Sequence, residues 1–351
     1  MPYLSPNECG KKIRAGEYDR LYCFFGRDTG ALAPFAKKLA GKLCPAEAQT
    51  MNLHAFDARE LDMEAFSDAV SVLPMFAERV VVTLSGLNME QLAKSNADIL
   101  RKLIADLPDT TVLIIDAGGE MQYKNRRNLS DKNKRFFDNC AKYGSVVEFA
   151  FRTVGDTARS IAASAEKRGC FISKNNAEYL AQMCLCETAF INMELDKLIS
   201  YTLRGEITRE TIDALCIRRI ESDGFGLAKN ILDGNAFFVF KRLDELKAQD
   251  YESTQVLAII GMSLTDIYRA RLCRSSGRSW QEGAKDFGYP KNREFAIKNA
   301  FGSCTSISLE RIRNTISMLA ELEFRLKTVT MNEQAKFLAV EQFAADAMAQ
   351  R

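Results

Sequence analysis

The sequence predicts an α/β domain built on a parallel sheet, followed by chain that is all-α. Three observations predict it. Apolar, β-branched or aromatic runs at Leu21–Phe25, Val80–Leu84, Thr111–Ile115 and Val146–Phe149, with a weaker one at Ala48–Leu53, alternate with helical periodicities. The strong runs are apolar at nearly every position, as in strands covered on both faces. Beyond residue 150 no such run recurs, and apolar residues repeat at three- and four-residue spacing.

Residues 1–20 are polar and carry no strong period. Leu21-Tyr22-Cys23-Phe24-Phe25 then ends at Gly26, and Arg27-Asp28-Thr29-Gly30 leads into Ala31–Leu43, where Leu32, Phe35, Ala36 and Leu39 share a helical face. Strand, glycine turn and helix form the setting in which backbone N–H groups cradle a phosphate. A working loop reads GxxxxGK[ST], because the lysine reaches the β/γ-phosphates and the hydroxyl holds magnesium. Here Gly30 comes early and Ala31 and Leu32 follow it. The frame is present without its chemistry, and no nucleotide cofactor or intrinsic ATPase is expected.

A helix is predicted over Met63–Leu73, with Phe66, Val70 and Leu73 on one face and Pro74 stopping it. Val80–Leu84 is a buried strand, and Met89–Leu107 is helical, with Leu92, Leu100, Leu103 and Ile104 as its stripe. Thr111–Ile115 ends in Asp116, as a magnesium-holding Walker B strand would. Ala117 follows where an ATPase usually places glutamate, so the residues favour a strand-end cap. Helix Asp131–Lys142 and strand Val146–Phe149 complete a first domain over residues 1–150.

Next, Asp156 is expected to cap a helix to Arg168 that Gly169 ends, Ser173 a helix to Cys186, and Thr208 a short one to Cys216. Thr188–Leu203 lies between them, and these helices make a small all-helical domain over 151–218. Gly224, Gly226 and Gly234 suggest a linker and a new start. Helices Ala236–Ala248, Thr254–Cys273, Trp280–Phe287, Arg293–Phe301 and Leu309–Val329 then form a third domain, 219–351.

Composition narrows the function classes. Lys and Arg total 48 against 46 Asp and Glu, so no strong global field draws the chain to nucleic acid or an anionic membrane. There is no leader-like start and no apolar run of about 18 residues, so membrane spanning and secretion are not expected. The 10 cysteines are scattered without a CxxC pair, and His54 is the single histidine. Metal sites and histidine triads are therefore not expected, and the thiols read as buried and reduced, in the cytoplasm.

Three stretches carry functional readings. Leu73-Pro74-Met75-Phe76 puts large apolar residues on a short connection, where they either insert into a groove on a partner or tuck under the sheet. The basic run Lys124-Asn125-Arg126-Arg127, with Lys132, Lys134 and Arg135, reads as a solvated face or a phosphate contact. Tyr289-Pro290-Lys291-Asn292-Arg293 reads as a Pro-initiated helix with a packed tyrosine, or as a turn that stacks on bases.

In order and spacing these segments resemble the delta subunit of the bacterial DNA polymerase III clamp loader. The resemblance also rests on Phe56-Asp57-Ala58-Arg59-Glu60-Leu61-Asp62, Ala77-Glu78-Arg79-Val80-Val81-Val82, Asp109–Ile114 and Glu194-Leu195-Asp196-Lys197-Leu198. It implies an AAA+-like parallel-sheet domain, a small helical lid and a C-terminal helical collar. It implies a non-catalytic wrench that opens the β sliding clamp with an apolar pair, here Met75 and Phe76 beside Leu73, for loading onto primed DNA. Met75 stands where Leu is commoner, and unbranched Met adapts to the same pocket. The implied partners are the clamp, the gamma/tau and delta-prime loader subunits and primer–template DNA. Tyr289, Lys291 and Arg293 are candidate DNA contacts, and Gly26, Gly30 and Asp116 are remnants of the nucleotide loop. The alternatives are a delta-prime-like or ATPase loader subunit, or a DNA-binding regulator.

Overall fold

A computed structural model describes residues 3–125, 128–217, 220–305 and 307–350, with only the backbone at 220–223. Arg126 and Arg127 of the basic run and the expected 218/219 boundary lie outside the described residues. The chain forms two compact units, residues 1–151 with 187–190, and residues 152–186 with 191–351.

The first unit holds a parallel sheet of β1 (Leu21–Gly26), β2 (Leu53–Asp57), β3 (Val80–Ser85), β4 (Thr111–Gly118) and β5 (Ser145–Glu148), in the order β2-β3-β4-β1-β5. Around it lie α1 (Pro6–Arg14), α2 (Thr29–Leu43), α3 (Gln49–Asn52), α4 (Met63–Ser71), α5 (Lys94–Ala105) and α6 (Asp131–Cys140). Alternate strand residues point to opposite faces. Leu21, Cys23, Phe25, Val82 and Leu113 meet Phe66, Leu100, Phe136 and Phe137 of α4, α5 and α6 on one face. Tyr22, Phe24, Val81 and Ile114 meet Ile13 of α1 and Leu32 and Leu39 of α2 on the other. Both faces are covered, which is why these strands read as continuous apolar runs.

Several boundaries differ from expectation. The second strand runs over Leu53–Asp57, and residues 46–52 before it form a 3-10 turn and the short α3. The Ala-rich segment has helical propensity, and the ladder with β3 begins only at Leu53 opposite Val81. α4 stops at Ser71, leaving Val72 extended before Pro74. α5 starts at Lys94 rather than Met89, because Asn133 Oδ1 accepts from the Met89 amide at 2.8 Å and fixes a turn. α1, which the polar N-terminus did not announce, starts with a reciprocal cap between Ser5 and Glu8.

The second unit contains α7 (Val154–Glu166), β6 (Cys170–Ile172), α8 (Lys174–Met183), most of α9 (Thr188–Thr202), β7 (Gly205–Ile207) and α10 (Arg209–Leu215). Its remainder is α11 (Ile220–Asp233), α12 (Ala236–Ala248), α13 (Ser253–Ser275), α14 (Trp280–Asp286), α15 (Glu294–Ser303), α16 (Leu309–Thr328) and α17 (Glu333–Ala349). The region after residue 150 is therefore not wholly helical, since β6 and β7 pair in parallel from Cys170 opposite Gly205 to Ile172 opposite Ile207. Three-residue strands are too short to leave a period in the sequence. Thr153, not Asp156, caps α7 through its hydroxyl, which accepts from the Asp156 amide. Gly224 and Gly226 lie inside α11 rather than in a linker, and α17 adds Phe337, Val340 and Phe343 to the helical core.

Candidate functional site

The connection from α4 to β3 lies at the N-terminal end of β3. The sheet is parallel, so this is the end opposite the one where β1 and β4 finish at Gly26 and Gly118. Leu73 is 73% exposed, Met75 52% and Phe76 95%, with Val72 exposed beside them. The alternative in which this pair tucks under the sheet is not what the chain adopts. Phe76 has φ of 56°, in the left-handed region that non-glycine residues seldom occupy.

Two residues that sequence reasoning missed, Asn52 and Tyr18, support the chain on either side of this tip. Asn52 is 0% exposed, at the end of α3. Its side-chain oxygen accepts from the Met75 amide at 2.7 Å, and its nitrogen donates to the Met75 carbonyl at 2.9 Å and the Ala48 carbonyl at 3.0 Å. At the far side of the tip, the Arg79 guanidinium lies over the Tyr18 ring, 5.3 Å from its centre. The sequence places Asn52 inside an expected strand, Ala48–Leu53, and only the fold ends α3 there and brings its side chain to Met75.

At the opposite end of the sheet, the residues of the expected phosphate turn are otherwise engaged. Asp28 is 3% exposed, and its carboxylate accepts from the Ala31 amide at 3.2 Å and the Thr188 hydroxyl at 2.7 Å. The N-terminus of α2, where a phosphate would rest, is thus capped by the chain's own carboxyl group. A Cβ on Gly30 would come within 2.4 Å of the Ala189 nitrogen, so this segment closes directly over the turn. Gly26 (φ 136°) leaves no room for a side chain, with the Phe149 carbonyl oxygen 2.3 Å from where a Cβ would sit. Arg27 pairs with Glu120 at 2.8 Å and lies 3.9 Å from the centre of the Tyr123 ring. The Asp116 carboxylate accepts from the Gly118 amide at 2.9 Å, and burial raises its pKa. Among the described residues, no three His, Cys, Asp or Glu side chains come together as metal ligands would.

The basic and aromatic candidates are partly committed to internal partners. Lys124 pairs with Asp131 at 2.9 Å and Lys132 with Glu90 at 3.3 Å, while Lys134 and Arg135 are exposed. Tyr289 is half-buried against the helical core, and its hydroxyl donates to Asp266. Burial first, then the Asp266 charge, pushes its pKa up. Arg293 faces the same carboxylate at 3.5 Å, and Lys291 is exposed. The Glu194–Leu198 segment is an internal lock: buried Glu194 accepts from the Ile217 amide at 3.2 Å, and Lys197 donates to the Leu215 carbonyl at 3.2 Å.

Comparison with known proteins shows which family the chain resembles over its length. A family model described as DNA polymerase III, delta subunit, matches residues 22–147, and one for that subunit's C-terminal domain matches residues 221–345. DNA polymerase III subunit delta of Bacillus subtilis (strain 168) is 23% identical over 331 residues, covering 92% of both chains. The solved structure of the Bacillus subtilis DNA clamp loader delta protein superposes with a TM-score of 0.63 at 20% identity, over 98% of this chain and 99% of that one. At that identity the likeness is one of fold, and it extends over both units. Both ends of the chain match models of one subunit, and a single relative spans nearly all of it, so the chain belongs to the DNA polymerase III delta subunit family.

Proposed function

We propose that this chain is the non-catalytic clamp-loader subunit that binds the β sliding clamp through Leu73, Met75 and Phe76 and favours its open form, so that the ring can be loaded onto primed DNA. The observation that carries the reading is an apolar tip exposed to solvent on a backbone held from beneath by Asn52. Exposed apolar clusters mark protein interfaces, and aromatic anchors that fill a pocket supply most of the binding energy. Each anchor, once buried, contributes about 1.5–3 kcal/mol, and the pair roughly two to four decades of affinity. Tighter binding to the open ring than to the closed one shifts the clamp's equilibrium.

ATP chemistry in this reading belongs to gamma/tau subunits, with delta-prime completing the assembly in the cytoplasm. The capped and covered turn around Asp28 supports that division of labour. For DNA within the assembly, exposed Lys291 supplies a phosphate contact, while Tyr289 and Arg293 shape its turn through Asp266.

The test is direct binding of the cognate β clamp to the full-length chain and to Met75→Ala/Phe76→Ala. The double variant is expected to bind about a hundredfold more weakly with an unchanged melting temperature. Equal affinity in the two proteins would move the interface elsewhere.

A further inference from the structure

We infer that Asn52 is the positioning residue of the docking tip: its buried carboxamide holds the Met75 main chain so that Met75 and Phe76 are presented in the shape the partner receives. This rests on the clamp-binding reading above and adds a residue to it.

Asn52 sits one step before the β2–β3 ladder, whose first pair is Leu53 opposite Val81. Met75 lies outside that ladder, so its amide and carbonyl have no strand partner. The Asn52 carboxamide substitutes for one. It accepts from the Met75 N–H and donates to the Met75 C=O, at 2.7 and 2.9 Å, as a neighbouring strand residue would. Its second N–H is fixed on the Ala48 carbonyl at 3.0 Å, so the amide is itself oriented. A wholly buried carboxamide using both donors and its acceptor cannot swing away without leaving polar groups unpaired.

The neighbouring residues make such a hold necessary. Phe76 has φ of 56°, a conformation that its own side chain disfavours. Its ring, nearly all in solvent, provides no packing to stabilise that conformation. On the other side Pro74 restricts the chain, and beyond the tip Arg79 rests on Tyr18, with the Lys42 ammonium 5.5 Å from the same ring's centre. Between these two restraints, the only hydrogen bonds from the body of the sheet domain to Met75 among the described residues are those of Asn52. A tip fixed before it meets its partner avoids the ordering cost at the encounter.

The test compares Asn52→Ala, Asn52→Asp and Met75→Ala/Phe76→Ala in the full-length protein, by amide hydrogen exchange and by the kinetics of clamp binding. In the wild type, the Met75 amide is expected to be protected although its side chain is exposed. In Asn52→Ala it should exchange at least tenfold faster, while the amides of Val81–Thr83 keep their wild-type rates. Clamp affinity should fall about tenfold, mostly through slower association, because only the fraction with a formed tip is competent. Met75→Ala/Phe76→Ala should instead speed dissociation. Asn52→Asp keeps the acceptor but turns a buried carboxylate oxygen toward the Met75 and Ala48 carbonyls, so it should free the Met75 amide at least as much as Asn52→Ala does. If neither variant folds, an unprotected Met75 amide in the wild type by itself overturns the hold. Unchanged Met75 exchange in both Asn52 variants overturns the hold. Faster exchange with wild-type affinity, where the double variant loses binding, overturns its role in docking. Failure of the wild type itself to bind the clamp would sink the clamp-binding reading and the docking role with it, while exchange would still decide whether Asn52 holds the tip.

Discussion

Asp28 and Asp116 show what single carboxylates do at the carboxyl ends of the sheet strands. Asp28 caps α2 from its own turn and holds the Thr188 hydroxyl, so its buried carboxyl occupies the helix N-terminus where a phosphate would rest. Asp116 lies two residues before the end of β4, where its bond from the Gly118 amide partly compensates its burial, and its pKa lies above the ordinary 3.8. A carboxyl whose folded pKa is raised holds its proton more tightly in the native chain. Its favourable contribution is therefore present below the unfolded value and is lost as pH rises through the folded one. Asp116→Asn keeps an acceptor for the Gly118 amide and removes the charge. It is expected to match or exceed wild-type stability at pH 7, by up to about 1 kcal/mol, with the gain disappearing in acid. Urea titrations at both pH values would measure this, and a loss of stability at pH 7 would contradict it. The sequence reads Asp116 as a strand-end cap, but β4 runs on to Gly118, and the carboxylate accepts from that last strand amide from within the strand. Asn52 was not legible, because Met75 lies 23 residues away.

At the scale of elements, close packing decides where glycine is needed. Gly224 lies inside α11 rather than in a linker, because α11 presses against α13 there. An added Cβ would sit 2.3 Å from Ile259 Cγ2 and 2.8 Å from the Ser263 hydroxyl. Gly224→Ala gains helix propensity worth up to about 1 kcal/mol, but overpacking of this kind typically costs 1–3 kcal/mol, roughly, and commonly wins. The variant is expected to lower the urea midpoint without changing its slope, and a raised midpoint would show that the helices part easily. Element types were mostly readable from periodicity, and boundaries less so. α5 lost its expected first turn to a side-chain bond from Asn133, and β6 and β7 were too short to announce themselves.

Across the whole molecule, the two ends of the parallel sheet are put to different uses. The carboxyl ends of the strands, where open α/β sheets usually bind ligands, carry the capped turn. The opposite end carries the exposed apolar tip, so the tip and the glycine turn lie on different ends of the sheet. The thiols give a global check on the fold. Nine of the 10 cysteines are buried and Cys216 is half-buried, its pKa pushed up to about 12 by burial and then by Glu194. A thiol reagent at mildly alkaline pH is expected to find almost no rapidly reacting group in the native chain and all 10 after denaturation. Several fast thiols in the native protein would mean that one of the cores opens readily.

The sequence by itself determined the parallel α/β sheet, the helical remainder, the missing lysine and hydroxyl of the nucleotide turn and the candidate apolar pair. Each of these is written in local periodicity or in residues a few positions apart. Only the tertiary structure decided that Met75 and Phe76 face solvent, that Asp28 and the 188–189 segment close the phosphate turn, and that Asn52 grips the tip. Those facts depend on which distant residues the sheet register and helix packing bring together, and local pattern does not encode such contacts.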